Sequence, residues 1–262
     1  VEDERETENE YESEYRGKVQ NQKSELKPMP LYVLTYYKKV SQVNGYTAYA
    51  SVVDSLNNSH VLPSELFLSA QERTLSEQQV ERHLSAIDSL ADKIGAQPAN
   101  HVLLFQRAMD YYHVKDFEGA IADMNAFLQD FPSDVLGLWL RAQSRMALLQ
   151  ANAKQAAASD LRLGYLMAQQ DFTQCVSLCP QVAYAHYNLG AVQMELGEVE
   201  LAVASYTKAI ECDPHFPDAY YNRGVANLKL GRKEQGLSDL SQAGEYGLYH
   251  AYSLIKQYSA NK

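Results

Sequence analysis

The histidines of this 262-residue chain are the side chains best suited to acid–base work, and their surroundings decide what they could do. His113 closes a predicted helix between Asp110 and Asp116, so an imidazole and two carboxylates could assemble a hydrolytic site there. His186 falls where a large packed side chain is expected, and the remaining histidines are scattered. There is no Gly-rich phosphate loop, no HExxH and no G-x-S-x-G elbow. Cys175, Cys179 and Cys212 are an odd set, so they do not make a closed disulfide framework. Cys175 and Cys179 share one face of a predicted helix, with no C-x-x-C pair and no paired histidines beside them. They are expected to be small buried apolar residues, not zinc ligands. The residue chemistry favours a binding protein over an enzyme, with no catalytic residue, metal or cofactor assigned.

Charge narrows the partners. The net charge is −10, and residues 1–14 supply −7 of it through eight acids against Arg5. Such a run has too little apolar surface to offset its ordering entropy and is expected to be a disordered tail or linker. The remainder, at −3, has no segregated basic cluster, so nucleic acid is not an expected partner. No apolar run approaches the length of a membrane helix. The chain begins with Val and shows no basic-then-apolar leader, so a processed form or a piece of a longer protein is expected, and its compartment is unknown.

The elements that would position any site repeat. "YAHYNLGAVQMELGEVELAVASYTKA" meets "DAYYNRGVANLKLGRKEQGLSDLSQA" on a 34-residue shift, with Gly190 on Gly224, Leu196-Gly197 on Leu230-Gly231 and Ala209 on Ala243. Each unit reads as two helices, closed in the third by Asp213-Pro214. Small residues mark where helices cross closely, and large ones fill the space between layers.

The period and pattern resemble the tetratricopeptide repeat (TPR) family, whose small positions are 8, 20 and 27, with a large residue at 24 and often Pro at 32. The third unit matches with Gly190, Ala202, Tyr206, Ala209 and Pro214, and the fourth with Gly224, Gly236, Leu240 and Ala243, but with Leu248 in place of Pro. The first gives Ala108, Ala120, Met124 and Pro132, with Phe127 at a small position, which predicts a looser contact with the next unit. The second gives Ala142, Ala168, Phe172, Cys175 and Pro180, with an Ala-rich insertion near "QANAKQAAASDLRL" read as a helical extension plus a loop.

The resemblance implies an all-α solenoid, a right-handed superhelix of antiparallel helix pairs. Its repeats are expected at 99–132, 133–180, 181–214 and 215–247, after a partial repeat at 74–98 with a Ser76/Gln79 capping box and before a capping helix at 248–259. Residues 15–73 stand outside the repeat. "GKVQNQKSELKPMPLYVLTYYKKV" suggests short strands in a hairpin, and "GYTAYASVVDSLNNS" and "PSELFLSAQE" suggest one helix each. This segment and the C-terminal "AGEYGLYHAYSLIKQYS" resemble the C-terminal part of longer bacterial TPR proteins of unassigned activity.

In this family the first helices line a concave groove. Carried over, the peptide-binding residues are Phe105, Gln106, Met109, Tyr112 and His113, then Trp139, Gln143 and Met146. The third unit adds Tyr184, Tyr187, Asn188, Met194 and Glu195, and the fourth Tyr221, Asn222 and Lys229. Asn188 and Asn222 could reach peptide backbone groups beside an aromatic ladder, or some of these rings could simply pack on neighbouring helices. Family members that clamp a C-terminal carboxylate use Lys at position 5 and Lys or Arg at position 6, which this chain lacks.

The expected function is a protein-interaction scaffold taking a protein or peptide in the groove. The alternative is self-association, or a structural module packing on an upstream domain; a third reading is a hydrolase built on His113. A peptide receptor should show an open groove, a self-packing module a groove filled by its own N-terminal segment, and a hydrolase His113 held by a carboxylate in a deep pocket.

Overall fold

A computed structural model describes residues 26–35, 66–70 and 74–260. The acidic run and the "GYTAYASVVDSLNNS" stretch lie outside the described residues. Ten helices follow a two-stranded sheet among the described residues. They are α1 (Glu77–Ala96), α2 (Val102–His113), α3 (Phe117–Asp130), α4 (Val135–Asn152), α5 (Ala158–Leu178), α6 (Ala183–Glu195), α7 (Val199–Cys212), α8 (Pro217–Lys229), α9 (Lys233–Glu245) and α10 (Ala251–Ala260). The protein is an all-α helical solenoid of paired antiparallel helices with a small sheet near its start.

Local signals set the helix ends. Ser76 accepts from the Gln79 amide at 3.3 Å while the Gln79 side chain takes the Ser76 amide at 3.0 Å, closing a reciprocal cap on α1. Asp116 and Asp134 cap α3 and α4 by accepting from the amides of Gly119 and Gly137. The turns after α6 and α8 pass through Gly197 and Gly231, both at φ +76°, where glycine carries no Cβ penalty. Lys115 takes the corresponding place after α2 at φ 65°, a conformation that costs a side-chain-bearing residue about 1 kcal/mol.

Close crossings sit where small residues permit them. A Cβ on Gly224 would lie 2.9 Å from the carbonyl oxygen of Gly236, and one on Gly236 would lie 2.9 Å from that of Gly224, so α8 and α9 meet backbone to backbone. A Cβ on Gly190 would strike the Tyr206 ring at 2.8 Å. The looser contact predicted at Phe127 does not occur. Phe127 is fully buried, and Gly137 on α4 makes its room: a Cβ there would lie 2.8 Å from the Phe127 ring. Large and small have exchanged between facing helices, conserving volume.

Within three repeats an arginine on the first helix grips an aspartate on the second. Arg107 holds Asp123 through two bonds of 2.7 and 2.6 Å, Arg141 holds Asp171 at 3.0 and 2.7 Å, and Arg223 holds Asp239 at 2.9 and 2.7 Å. The sequence separations are 16, 30 and 16 residues. The insertion in the second repeat therefore lengthens α4 and α5 without displacing their pairing. The third repeat has Leu189 and Ser205 at these places, with Ser205 donating to Gln193 at 2.7 Å.

Strands β1 (Val33–Thr35) and β2 (Phe67–Ser69) pair antiparallel, Val33 opposite Ser69 and Leu34 opposite Leu68. The short helix expected in "PSELFLSAQE" is thus a strand. An apolar run that short suits either state, and pairing with β1 decides it. Among the described residues β1 pairs with a segment some thirty residues further on, and residues 17–25 and 36–40 of the expected hairpin lie outside them.

Candidate peptide-binding groove

Residues 26–35 lie extended in the concave groove, running from the fourth repeat back to the first. Three amide side chains grip this segment by its backbone. Asn222 of α8 accepts from the Met29 amide at 2.6 Å and donates to the Met29 carbonyl at 3.3 Å. Asn188 of α6 does the same for Tyr32, at 2.9 and 2.7 Å, and Gln143 of α4 for Leu34, at 2.7 and 3.2 Å. An amide with donor and acceptor side by side matches the N–H and C=O of one extended residue, so each clamp satisfies two backbone groups. Trp139 Nε1 adds a bond to the Tyr32 carbonyl at 3.0 Å. The Tyr187 hydroxyl lies 3.1 Å from the Met29 carbonyl and 2.8 Å from that of Pro30, and accepts from Asn222 Nδ2 at 2.9 Å.

The segment is suited to being held this way. Pro28 and Pro30 flank Met29 and bias Lys27 and Met29 toward extended backbone, which lowers the entropy lost on docking. Neither proline has an N–H to satisfy, and both are exposed. Strand geometry turns successive residues to opposite edges. Leu34 bonds to Gln143 on one edge while its neighbours Val33 and Thr35 pair with β2 on the other.

Tyr32 is the anchor. Only 1% exposed, its ring lies 4.5 Å from Tyr184, 5.4 Å from Tyr187 and 5.4 Å from Phe216, centroid to centroid. Its hydroxyl donates to the buried carboxylate of Asp218. Leu34 is fully buried two residues on.

A histidine pair closes the far end. The rings of His83 and His113 stack 5.0 Å apart and 10° from parallel. His113 Nδ1 lies 2.6 Å from the Met109 carbonyl, so it carries the proton, and Nε2 accepts from the Thr35 hydroxyl at 3.2 Å. Burial pulls the His113 pKa down to about 4, and the charge of His83 adds to this, against the opposing bond to Met109. Asp110 bonds His83 at 2.7 Å, and burial raises its carboxyl pKa. His113 is therefore held by a backbone carbonyl, while Asp116 is spent on a helix cap. The cleft beside Leu31 and Val33, lined also by Tyr112, Ala147 and Gln150, encloses about 60 Å³, room for little more than water. Among the described residues no group of three or more His, Cys, Asp or Glu is placed to hold a metal ion.

Of the residues expected in the groove, His113, Trp139, Gln143, Tyr184, Tyr187, Asn188 and Asn222 meet the segment directly. Phe105, Met109, Met146 and Met194 are buried in the core. Tyr221 packs on the ring of His250 at 4.8 Å, while Gln106, Glu195 and Lys229 are exposed. The groove is not open to solvent: the chain's own segment fills it. Phe216 and Asp218 were missed. Asp218 stands one period after Tyr184, a spacing that could have found it, whereas Phe216 sits in the turn before α8, where the repeat carries no such signal.

A TPR-repeat family profile matches residues 193–231. The fold is that of the tetratricopeptide repeat. Solved TPR-like structures agree over most of the helical array. A crystal structure of MamA superposes with a TM-score of 0.57 at 18% identity, covering 70% of this chain and 99% of that one. MamA from Desulfovibrio magneticus RS-1 (residues 41 to end) gives 0.55 at 14% identity, over 66% and 97%. TTC0263, a thermophilic TPR protein of Thermus thermophilus, gives 0.50 at 17%, over 70% and 92%. At these identities the likeness is one of fold. A comparison with curated proteins finds no match. No helix among the described residues is long and apolar enough to cross a membrane.

Proposed function

We propose that the chain is a non-catalytic protein-interaction scaffold whose concave TPR groove receives an extended peptide segment. The observation that carries this is the set of three amides, Gln143, Asn188 and Asn222, each bonded to both backbone groups of one segment residue. Side chains that read only N–H and C=O accept any extended backbone of the right register. The groove is thus equipped to hold a peptide as such, and residues 26–35 occupy it in cis.

A second reading meets the criterion expected of a self-packing module, because the groove is filled by the chain's own N-terminal segment. Tyr32, Leu34 and Leu68 are buried as deeply as the helical core, and β2 pairs along the outer edge of β1. On that reading the segment is a permanent part of a structural module, and partners bind elsewhere on the solenoid or through self-association. Native-state hydrogen exchange separates the two. A receptor groove predicts that the Tyr32 and Leu34 amides exchange through a local opening well below the free energy that protects α8. Exchange of these amides only with global unfolding would overturn the receptor reading and leave the structural one.

A further inference from the structure

We propose that the groove is selective for tyrosine, taking from a partner protein an extended segment of the form Pro-x-Tyr-x-Leu. This rests on the receptor reading above and names its ligand. Pro30-Leu31-Tyr32-Val33-Leu34 is the built-in stand-in. The amide clamps carry no sequence information, so selectivity must come from side chains. Tyr32 has the shaped site: three rings within 5.4 Å and a buried acceptor at its tip. Asp218 is 7% exposed, so a segment with phenylalanine here would forfeit a charge-assisted hydrogen bond in a buried site. Losing such a bond is enough to discriminate against the analogue without the hydroxyl. A phosphorylated tyrosine would bring a dianion against the same carboxylate and be excluded.

The other positions follow from contacts. Leu34, fully buried, fixes an aliphatic residue two places after the anchor. Pro30 presents its carbonyl to Tyr187 and has no N–H to leave unbonded, so proline is favoured two places before it. Leu31 and Val33 alternate outward and are only half-buried, which leaves them free to vary.

The test titrates the chain carrying Tyr32→Ala, whose own anchor is removed, into a fluorescein-labelled peptide of residues 26–35. Anisotropy is the readout, and circular dichroism confirms that the helices are retained. The peptide is expected to bind, its Tyr→Phe version to bind about tenfold or more weakly, and Asp218→Leu in the same chain to abolish that preference. Equal binding of both peptides would overturn the tyrosine selectivity and leave the receptor reading standing. Binding of neither to a folded chain would overturn both. If Tyr32→Ala does not fold, Tyr32→Phe in the full chain decides. Loss of the one hydroxyl should speed exchange of the Tyr32 and Leu34 amides about tenfold, and an unchanged rate would sink the proposal.

Discussion

Arg107, Arg141 and Arg223 find their aspartates inside their own repeats, whereas Gln143, Asn188 and Asn222 find partners 109 to 193 residues away. The first set ties the two helices of a repeat together, and Arg141 and Arg223 also reach Asn125 and Thr207 of the preceding repeat. The second projects from the first helices of the second, third and fourth repeats into the groove, where an extended segment satisfies it. The third repeat stands apart from its neighbours. It lacks the arginine–aspartate pair, yet it supplies Tyr184, Tyr187 and Asn188, all in contact with the segment. Two kinds of polar contact therefore divide the work: ionic braces hold the solenoid, and neutral amides hold its occupant.

The largest test of this division is Asp171→Ala. Asp171 serves both Arg141 and Arg145, and its loss leaves one buried and one largely buried guanidinium group without this carboxylate. A destabilisation of about 3–5 kcal/mol is expected in urea unfolding, reaching the helices generally. Tyr32→Ala should cost about 2–4 kcal/mol, chiefly in docking of the segment. Hydrogen exchange should then rise more in α6 and α7, the pair without the ionic brace, than in α2–α3 or α8–α9. An even rise across the repeats would break the comparison. Asn188→Ala should cost about 1–3 kcal/mol, because the Tyr32 amide loses its partner while its carbonyl keeps Trp139. It should appear as faster exchange at Tyr32 with little change in helical melting.

The solenoid was legible because its signals are local. Gly190 and Gly224 recur one period apart, and the Ser76 cap acts within three residues. Position in the repeat likewise marked Asn188 and Asn222 as groove-facing. The occupant was legible only as an alternative, a groove filled by the N-terminal segment, and not by its residues. "KPMPLYVLT" has the composition of an ordinary extended stretch, and the bonds that tie it to the helices cross more than seventy residues of chain. Strand β2 shows the same limit: "LFLS" reads as strand or helix until β1 lies beside it. Phe127 shows another, because repeat position reports the size of one side chain and not the compensating Gly137 across the interface.

The smallest expected effect probes the end of the groove. His113 is neutral in the folded chain, with a pKa of about 4 set mainly by burial, against about 6.5 when unfolded. As pH falls through that window the unfolded chain takes up the proton and the folded chain does not, so stability declines and then levels off below about pH 4. The ceiling is about 3 kcal/mol. Asp110 works the other way: its raised carboxyl gains a proton in the folded state first, which favours folding as the pH drops. His83, stacked on His113 and bonded to Asp110, ties the two together. A net loss of about 1–2 kcal/mol is expected between pH 7 and 4.5 relative to His113→Gln, measured as the difference in urea midpoints. Because His113 accepts from Thr35, the loss should register first as exchange at the β1 end of the segment, with Met29 and its Asn222 clamp unmoved. Uniform loosening from Met29 to Thr35 would mean that the groove releases its occupant as one unit and not from the histidine end.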